Sequence, residues 1–181
     1  LVYQTMTSNT QLIDDLKRDF PQLKTFATLS PIPGLRRWAE RNAEAWQQCF
    51  GDDVIARVAR ITGGAGDGAA IRQLLEDGAW SDNRRLTRAL QAPLTHLAAR
   101  YLTSCVAGGK PCDPVARFHL GNGARIERLN FLGDTATKGF KQSYGMMVNY
   151  LYDPDNIEDN VENLLREGKI AASGAIRHAA K

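Results

Sequence analysis

The sequence predicts a mixed α/β domain, and three observations lead to that prediction. Short segments rich in β-branched and aromatic residues alternate with segments that have the apolar spacing of amphipathic helices. A block of helical segments broken by glycines covers about residues 52–104 and separates two such α/β parts. The length of 181 residues suits one domain with a sizeable core. The predicted order is β-α-β-α, a helical insertion, and then β-(α)-β-α.

Four elements are predicted before the insertion. Residues 1–7 and 23–30 have the composition of strands, and the second strand should end at Pro31-Ile-Pro33-Gly34, because proline cannot continue a ladder. Apolar residues on one face predict helices over residues 12–20 and 35–50.

The later elements follow from the same patterns. Two short helices are predicted around residues 54–58 and 71–75, joined by a glycine turn that lacks the Gly-Lys-Ser/Thr ending of a phosphate loop. A longer helical segment should be kinked or interrupted at Pro93. Beyond it we expect strands over 124–131 and 147–152, a helix or loop over 135–146, a helix capped by Asp153-Pro154, and a mobile Ala-rich tail.

Composition narrows the possible partners. The net charge of +3 comes without a dense run of Lys or Arg, so no nucleic acid is predicted, and an anionic small ligand suits the charge equally well. No apolar run approaches the roughly 20 residues that cross a bilayer, so no membrane is expected. The odd number of cysteines argues against a disulfide framework and favours a reducing, cytoplasmic setting. Because the chain starts without Met, we interpret it as part of a longer protein.

Residues 113–152 concentrate polar and turn-forming residues, which is typical of a site. His119 lies there, followed by the Leu120-Gly-Asn122-Gly123 turn, whose N–H groups could approach a ligand. From the residues alone, His119 remains open between packing and function, whereas His96 and His178 are predicted to be structural.

Ser30 ends a predicted strand, where ligands bind in open α/β sheets. A serine hydrolase is one interpretation of Ser30 with His119. The Gly-x-Ser-x-Gly elbow is absent, however, and no triad acid is evident.

Two longer motifs resemble the malonyl-CoA decarboxylase family. They are Thr28-Leu-Ser30-Pro-Ile-Pro-Gly34 and Asp113-Pro-Val-Ala-x-Phe-His119-Leu-x-Asn122-Gly-Ala124. The similarity continues through Arg128-x-Asn130, Asp134, Gly139, Ser143-x-Gly145 and Asn149-Tyr150-x-Tyr152, and it includes Arg88-Ala-Leu-Gln-x-Pro93-Leu. It covers essentially the whole chain and is similar to the family's C-terminal catalytic half.

The resemblance implies a GNAT-like (N-acetyltransferase-type) acyl-CoA-binding catalytic domain over residues 1–181. In full-length members a helical N-terminal domain, associated with oligomerisation, precedes it, so a homo-oligomer is expected. The implied reaction is decarboxylation of malonyl-CoA to acetyl-CoA and CO₂, in malonate or fatty-acid metabolism of a bacterial cytoplasm. The thioester is its own electron sink, so no metal or cofactor is expected beyond the CoA of the substrate.

The family's catalytic serine, histidine and tyrosine carry over onto Ser30, His119 and Tyr152. Ser30 is expected to position the malonyl carboxylate. His119 is expected to act in proton transfer to the enolate carbon, because an unperturbed pKa near 6.5 suits acid–base work. The expected substrate-binding residues are Pro31, Gly34, Asn122 and Gly123.

The chain departs from the family between the first strand and the first helix. The family carries a glycine-rich segment there, with an active-site glutamate, and in this type of fold that loop offers N–H groups to the CoA pyrophosphate. Here Gln11 joins Leu12 directly, so the segment is either deleted or left out of the sequence; the second is favoured because a helix would otherwise start without a loop. Two alternatives stay open: an acyl-CoA-dependent acyltransferase, and a non-catalytic acyl-CoA-binding domain.

Overall fold

The computed structural model describes Asp15, Arg18, Asp19, Gln22 and residues 25–64, 66–104 and 106–181. The predicted strand over residues 1–7 and the junction of residues 11 and 12 lie outside the described residues. So does most of the helix predicted over residues 12–20, of which Asp15, Arg18 and Asp19 are helical.

A three-stranded antiparallel sheet positions the candidate site. Strand β1 spans Phe26–Pro31, β4 spans Arg125–Asn130 and β5 spans Met147–Tyr152. The spatial order is β1-β5-β4, so β5 lies in the centre. The prediction for 147–152 is confirmed to the residue. The first strand was predicted to end before Pro31, but β1 includes Pro31. This is possible because β1 has a single described neighbour, and an edge strand tolerates a residue without an N–H.

The register of β1 against β5 decides which side chains share a face. Thr28 lies opposite Tyr150, and Ser30 lies opposite Val148. Because alternate side chains point to opposite faces, Tyr152 shares the buried face with Tyr150 and Val148. Ser30 is likewise buried on β1, so β1 and β5 each place a hydroxyl-bearing side chain in the core.

A short hairpin of β2 (Val106–Ala107) and β3 (Lys110–Pro111) precedes the site region. Cys112 follows it directly and is disulfide-bonded, whereas Cys49 is a free, buried thiol. An odd number of cysteines therefore does not exclude a single disulfide, and the cysteine argument for a reducing compartment loses its support.

The helix predicted over 35–50 is two helices. Helix α1 spans Leu35–Arg41 and α2 spans Ala43–Cys49. Asn42 separates them because its backbone leaves the helical region, with φ −116° and ψ 83°, and its side chain accepts a hydrogen bond from Ala45 N. Asn competes in this way for backbone donors and favours helix starts.

The helices predicted in the insertion are present. They are α3 (Asp52–Thr62), α4 (Gly68–Leu74) and α5 (Arg84–Ser104), with a 3₁₀ turn at Ala79–Asp82 before the last. Whether this block is an insertion into a GNAT-like domain stays a prediction.

Pro93 does not interrupt α5, which runs through it. An interior proline costs about 3 kcal/mol or more because one backbone donor is lost. Leu90, Leu94 and Leu97 are fully buried around it. Each buried leucine contributes about 1.5–3 kcal/mol, so their burial outweighs the proline. Of the two predicted outcomes, the interruption is wrong and the kink stays a prediction.

A helix that was not predicted lies between the hairpin and β4. Helix α6 spans Pro114–Gly121 and begins after Asp113. Helix α7 (Thr137–Ser143) lies within the segment predicted as helix or loop.

The last two helices differ from what was predicted for their segments. Helix α8 spans Ile157–Glu167 with Asn156 as its N-cap residue, so Asp153-Pro154 lies before the helix and does not cap it. Asp153 instead accepts a hydrogen bond from the Asn156 side chain. The predicted mobile tail forms α9 (Gly174–Ala179), which includes His178.

Among the described residues, no helix is both long and apolar enough to span a bilayer.

Candidate active site

Ser30, His119 and Tyr152 meet in one hydrogen-bonded chain. Ser30 Oγ lies 3.1 Å from His119 Nε2, and the Tyr152 hydroxyl lies 2.7 Å from His119 Nδ1. All three side chains are buried, with exposed fractions of 5%, 8% and 4%. Since they come from β1, α6 and β5, only the folded chain brings them together.

Strand geometry places the serine. Thr28 and Ser30 are two residues apart on β1, so their side chains point the same way. Thr28 Oγ1 lies 3.0 Å from Ser30 Oγ, and either hydroxyl can be the donor. The serine hydroxyl thus has a polar neighbour on each side, threonine and histidine.

Helix α6 places the histidine. Asp113 caps the helix, its Oδ1 accepting from Val115 N at 2.9 Å and from Ala116 N at 3.1 Å. The helix ends at Gly121 with Asn122 as its C-cap residue, and His119 lies in its last turn. The imidazole stacks on the ring of Tyr150, with centroids 4.4 Å apart and planes 20° apart. One face of the imidazole is therefore held by an aromatic ring that is fully buried.

Burial lowers the pKa of His119 from 6.5 to about 4. The imidazole is therefore neutral near pH 7, and the expectation of a pKa near 6.5 is wrong, because the loss of hydration depends on packing that the sequence does not display. A neutral imidazole carries one proton. If Tyr152 donates to Nδ1, then Nε2–H donates to Ser30 Oγ; the opposite tautomer reverses both bonds.

The four predicted substrate-binding residues fall into two places. Pro31 is exposed at the end of β1, and the N–H of Gly34 donates to Asp113 Oδ2 at 3.0 Å. Asn122 and Gly123 follow α6, where the Asn122 amide nitrogen is buried without a partner among the described residues.

Packing alone explains one of these four. Gly123 has φ +81°, and an added Cβ would lie 2.6 Å from the carbonyl oxygen of Ile157. A glycine is therefore needed there for close approach to α8, whatever it does for a ligand. Contact of these residues with substrate stays a prediction.

Asp113, Tyr150 and Thr28 belong to the site although pattern analysis did not assign them a role. Asp113-Pro114 is a helix-start signal, since Asp caps and Pro suits the first turn. Thr28 and Tyr150 lie two residues before Ser30 and Tyr152, so the period of a strand places each pair on one face.

A cavity of about 700 Å³ lies elsewhere, and none of Ser30, His119 and Tyr152 lines it. Its lining includes Arg57 and Arg88 from α3 and α5. The hydrogen-bonded chain, rather than the volume of this cavity, identifies the candidate site. In the described ranges no group of three His, Cys, Asp or Glu side chains could hold a metal ion.

The chain matches the family model of the malonyl-CoA decarboxylase C-terminal domain over residues 9–181. It belongs to the malonyl-CoA decarboxylase family. It is 34% identical over 172 residues to the mitochondrial malonyl-CoA decarboxylase of Mus musculus, which covers 92% of this chain and 35% of that protein. For the goose protein (Anser anser anser) the identity is 33%, over 90% of this chain and 33% of that protein. The chain thus spans about a third of the length of these decarboxylases.

Solved malonyl-CoA decarboxylases have the same fold. The Agrobacterium vitis structure superposes with a TM-score of 0.79 at 39% identity, covering 97% of this chain and 40% of that one. The Cupriavidus metallidurans structure gives 0.75 at 40% identity, covering 94% and 42%. The mixed α/β prediction is confirmed, while the GNAT-like label stays a prediction.

Proposed function

We propose that this chain decarboxylates malonyl-CoA to acetyl-CoA and CO₂. The observation that carries the proposal is the buried Ser30–His119–Tyr152 chain, found in a member of the malonyl-CoA decarboxylase family. Breaking the bond to the carboxylate releases CO₂ and leaves an electron pair on the methylene carbon. The pair delocalises onto the thioester oxygen as an enolate, and the carbon then takes one proton. The thioester supplies the electron sink, so the proposal includes no cofactor.

Ser30 is assigned to the carboxylate. Its hydroxyl can donate to a ligand when Nε2–H of His119 donates to Oγ. A hydrogen bond to one carboxylate oxygen would hold the group out of the thioester plane, where the breaking bond aligns with the π system. Thr28, at 3.0 Å, restricts the rotation of the serine hydroxyl and so favours one orientation.

His119 is assigned to proton transfer. A bound malonyl carboxylate favours the imidazolium form, because an opposite charge nearby raises the pKa of a histidine. When CO₂ leaves as a neutral molecule, burial again favours the neutral imidazole, which makes the imidazolium a good acid toward the enolate carbon. Tyr152 holds Nδ1 at 2.7 Å and keeps Nε2 aimed at the serine and the substrate.

The remaining assignments concern binding and setting. Pro31, Gly34, Asn122 and Gly123 are proposed to contact the acyl-CoA. The longer relatives are consistent with a further N-terminal domain, through which we propose a homo-oligomer. A cytoplasmic, bacterial enzyme without a nucleic-acid or membrane partner remains the proposed setting.

The test is a malonyl-CoA assay that follows CO₂ and acetyl-CoA together. We expect the parent chain to release both in equal amounts and Ser30→Ala to lower kcat about 10²-fold or more. Ser143→Ala is the matched control, since Ser143 is 2% exposed and its hydroxyl donates to the carbonyls of Gly139 and Met146 away from the site. A folded parent that binds CoA without releasing CO₂ contradicts the proposed function. A Ser30→Ala variant at the parent rate contradicts the role of the serine.

A further inference from the structure

We propose that Asp113 is a positioning residue. Its carboxylate fixes the strand that carries Ser30 relative to the helix that carries His119. The two oxygens of its carboxylate serve different elements. The catalytic consequence rests on the proposed function, whereas the structural coupling does not.

Oδ1 binds the helix. It accepts hydrogen bonds from the N–H groups of Val115 and Ala116, at 2.9 and 3.1 Å, in the first turn of α6. His119 lies six residues after Asp113 on that helix, less than two turns away. A displacement of the capped end therefore carries the imidazole with it.

Oδ2 binds the segment that follows the serine. It accepts from the N–H of Gly34 at 3.0 Å and from the Tyr101 hydroxyl at 3.3 Å. Gly34 follows Ser30 by four residues, after the Pro31-Ile-Pro turn, whose prolines restrict the backbone. A Cβ at Gly34 would clash with the Tyr101 hydroxyl, so glycine is what lets this turn reach the carboxylate.

A helix cap by itself does not require a buried aspartate. Asp67 caps α4 with one oxygen that accepts from Ala70 N at 2.7 Å, and it is exposed. Asp113 is 2% exposed, and burying a carboxylate is costly unless it is fully hydrogen-bonded. Burial raises its pKa, while the backbone donors and Tyr101 lower it. The four donors from three elements are what make a buried carboxylate tolerable there, and together they fix the relative position of those elements.

The decisive variant is Asp113→Asn. It keeps the size of the side chain and one acceptor for the helix cap, but the amide nitrogen can accept from neither the Gly34 N–H nor the Tyr101 hydroxyl. We expect kcat to fall about 10- to 100-fold, as for a misplacement of up to about 1 Å, with KM within about threefold. Asp67→Asn, the same change at an exposed cap, should leave kcat within about twofold. Both are assayed at a temperature where circular dichroism shows equal folded fractions.

A second readout does not need activity. The chain has three histidines, so the ¹⁵N signals of the His119 imidazole can be assigned. We expect Asp113→Asn to shift the His119 Nε2 signal as the Ser30 contact loosens, and Asp67→Asn to leave it unchanged. If Asp113→Asn does not fold, Tyr101→Phe removes one donor and keeps the cap, and a smaller shift of the same signal is expected.

The outcomes separate the two proposals. An inactive parent contradicts the proposed function, and the His119 signal then decides the coupling alone. An active parent with Asp113→Asn at the parent kcat and an unmoved His119 signal overturns the inference. If Asp113→Asn lowers stability but changes neither kcat nor the His119 signal, Asp113 acts only as a helix cap, and the inference is overturned too.

Discussion

The sheet with α6 and the helical block of residues 52–104 bury different kinds of side chain. Among the described residues, Ser30, Asp113, His119 and Ser143 are buried outside the block, whereas the block adds the hydroxyl of the buried Tyr101, which donates to Asp113. The block buries leucines, tryptophan and alanine around α5 instead. Burying polar groups is costly unless they are paired, and Ser30, Asp113 and His119 are all hydrogen-bonded. The difference indicates that the block supplies stability while the site region supplies polar groups held in place.

Two histidines, one in each region, give the largest expected contrast. Burial is the first cause that lowers the pKa of both His119 and His96. His119 has two hydrogen-bond partners, whereas Nε2 of His96 is buried with none in the described part of the chain. We expect His119→Gln to lower kcat by about 10²- to 10⁴-fold, the usual contribution of a general acid, and His96→Gln to stay within about twofold. Equal losses of kcat for the two variants in a malonyl-CoA decarboxylation assay would contradict the different roles given to His119 and His96.

Leu94 tests whether the helical block of residues 52–104 contributes to stability rather than to activity. It is fully buried in α5, so Leu94→Ala should lower the free energy of unfolding by about 2–5 kcal/mol. Below the reduced Tm, kcat and KM should match the parent, because Ser30, His119 and Tyr152 lie on β1, α6 and β5. Helix α5 reaches the site through the Tyr101 hydroxyl, about two turns away from Leu94. Leu165→Ala on α8 is the matched control, since Leu165 is 76% exposed and should change urea unfolding little. A folded Leu94→Ala protein with lost activity would show that the block shapes the site.

The smallest expected effect is a pH dependence of stability that comes from the buried imidazole of His119. The pKa of His119 falls from 6.5 to about 4 on folding, so between these values the unfolded chain binds more protons. Stability from this group is complete above about pH 6.5 and is lost as the pH falls through about 4, up to about 3 kcal/mol.

Urea unfolding at pH 7 and pH 4.5 measures this loss. The parent should lose more stability than His119→Gln, which lacks the group but keeps His96 and the buried carboxylate of Asp113. Identical losses in the two proteins would mean that His119 is not buried in its neutral form.

Local patterns predicted many elements and missed a decisive one. The alternation in residues 147–152 predicted β5 to the residue. Helix α6 was not predicted although Asp113-Pro114 is a start signal, because eight residues are too few to show the apolar periodicity of a helix clearly. Helix α5 continues through Pro93, since the local cost of the proline is smaller than the stabilisation from the buried leucines around it.

The sequence by itself determined the family and the identity of the candidate residues, because long motifs around Ser30 and His119 are specific without any coordinates. It did not determine the state of those residues. Ser30 and His119 are 89 positions apart, and His119 and Tyr152 are 33 apart, so their contacts exist only in the folded chain. The neutral imidazole and the shared carboxylate of Asp113 depend on burial and on donors from distant elements. Tertiary structure decided both, because hydration and hydrogen-bond geometry are properties of packing rather than of local pattern.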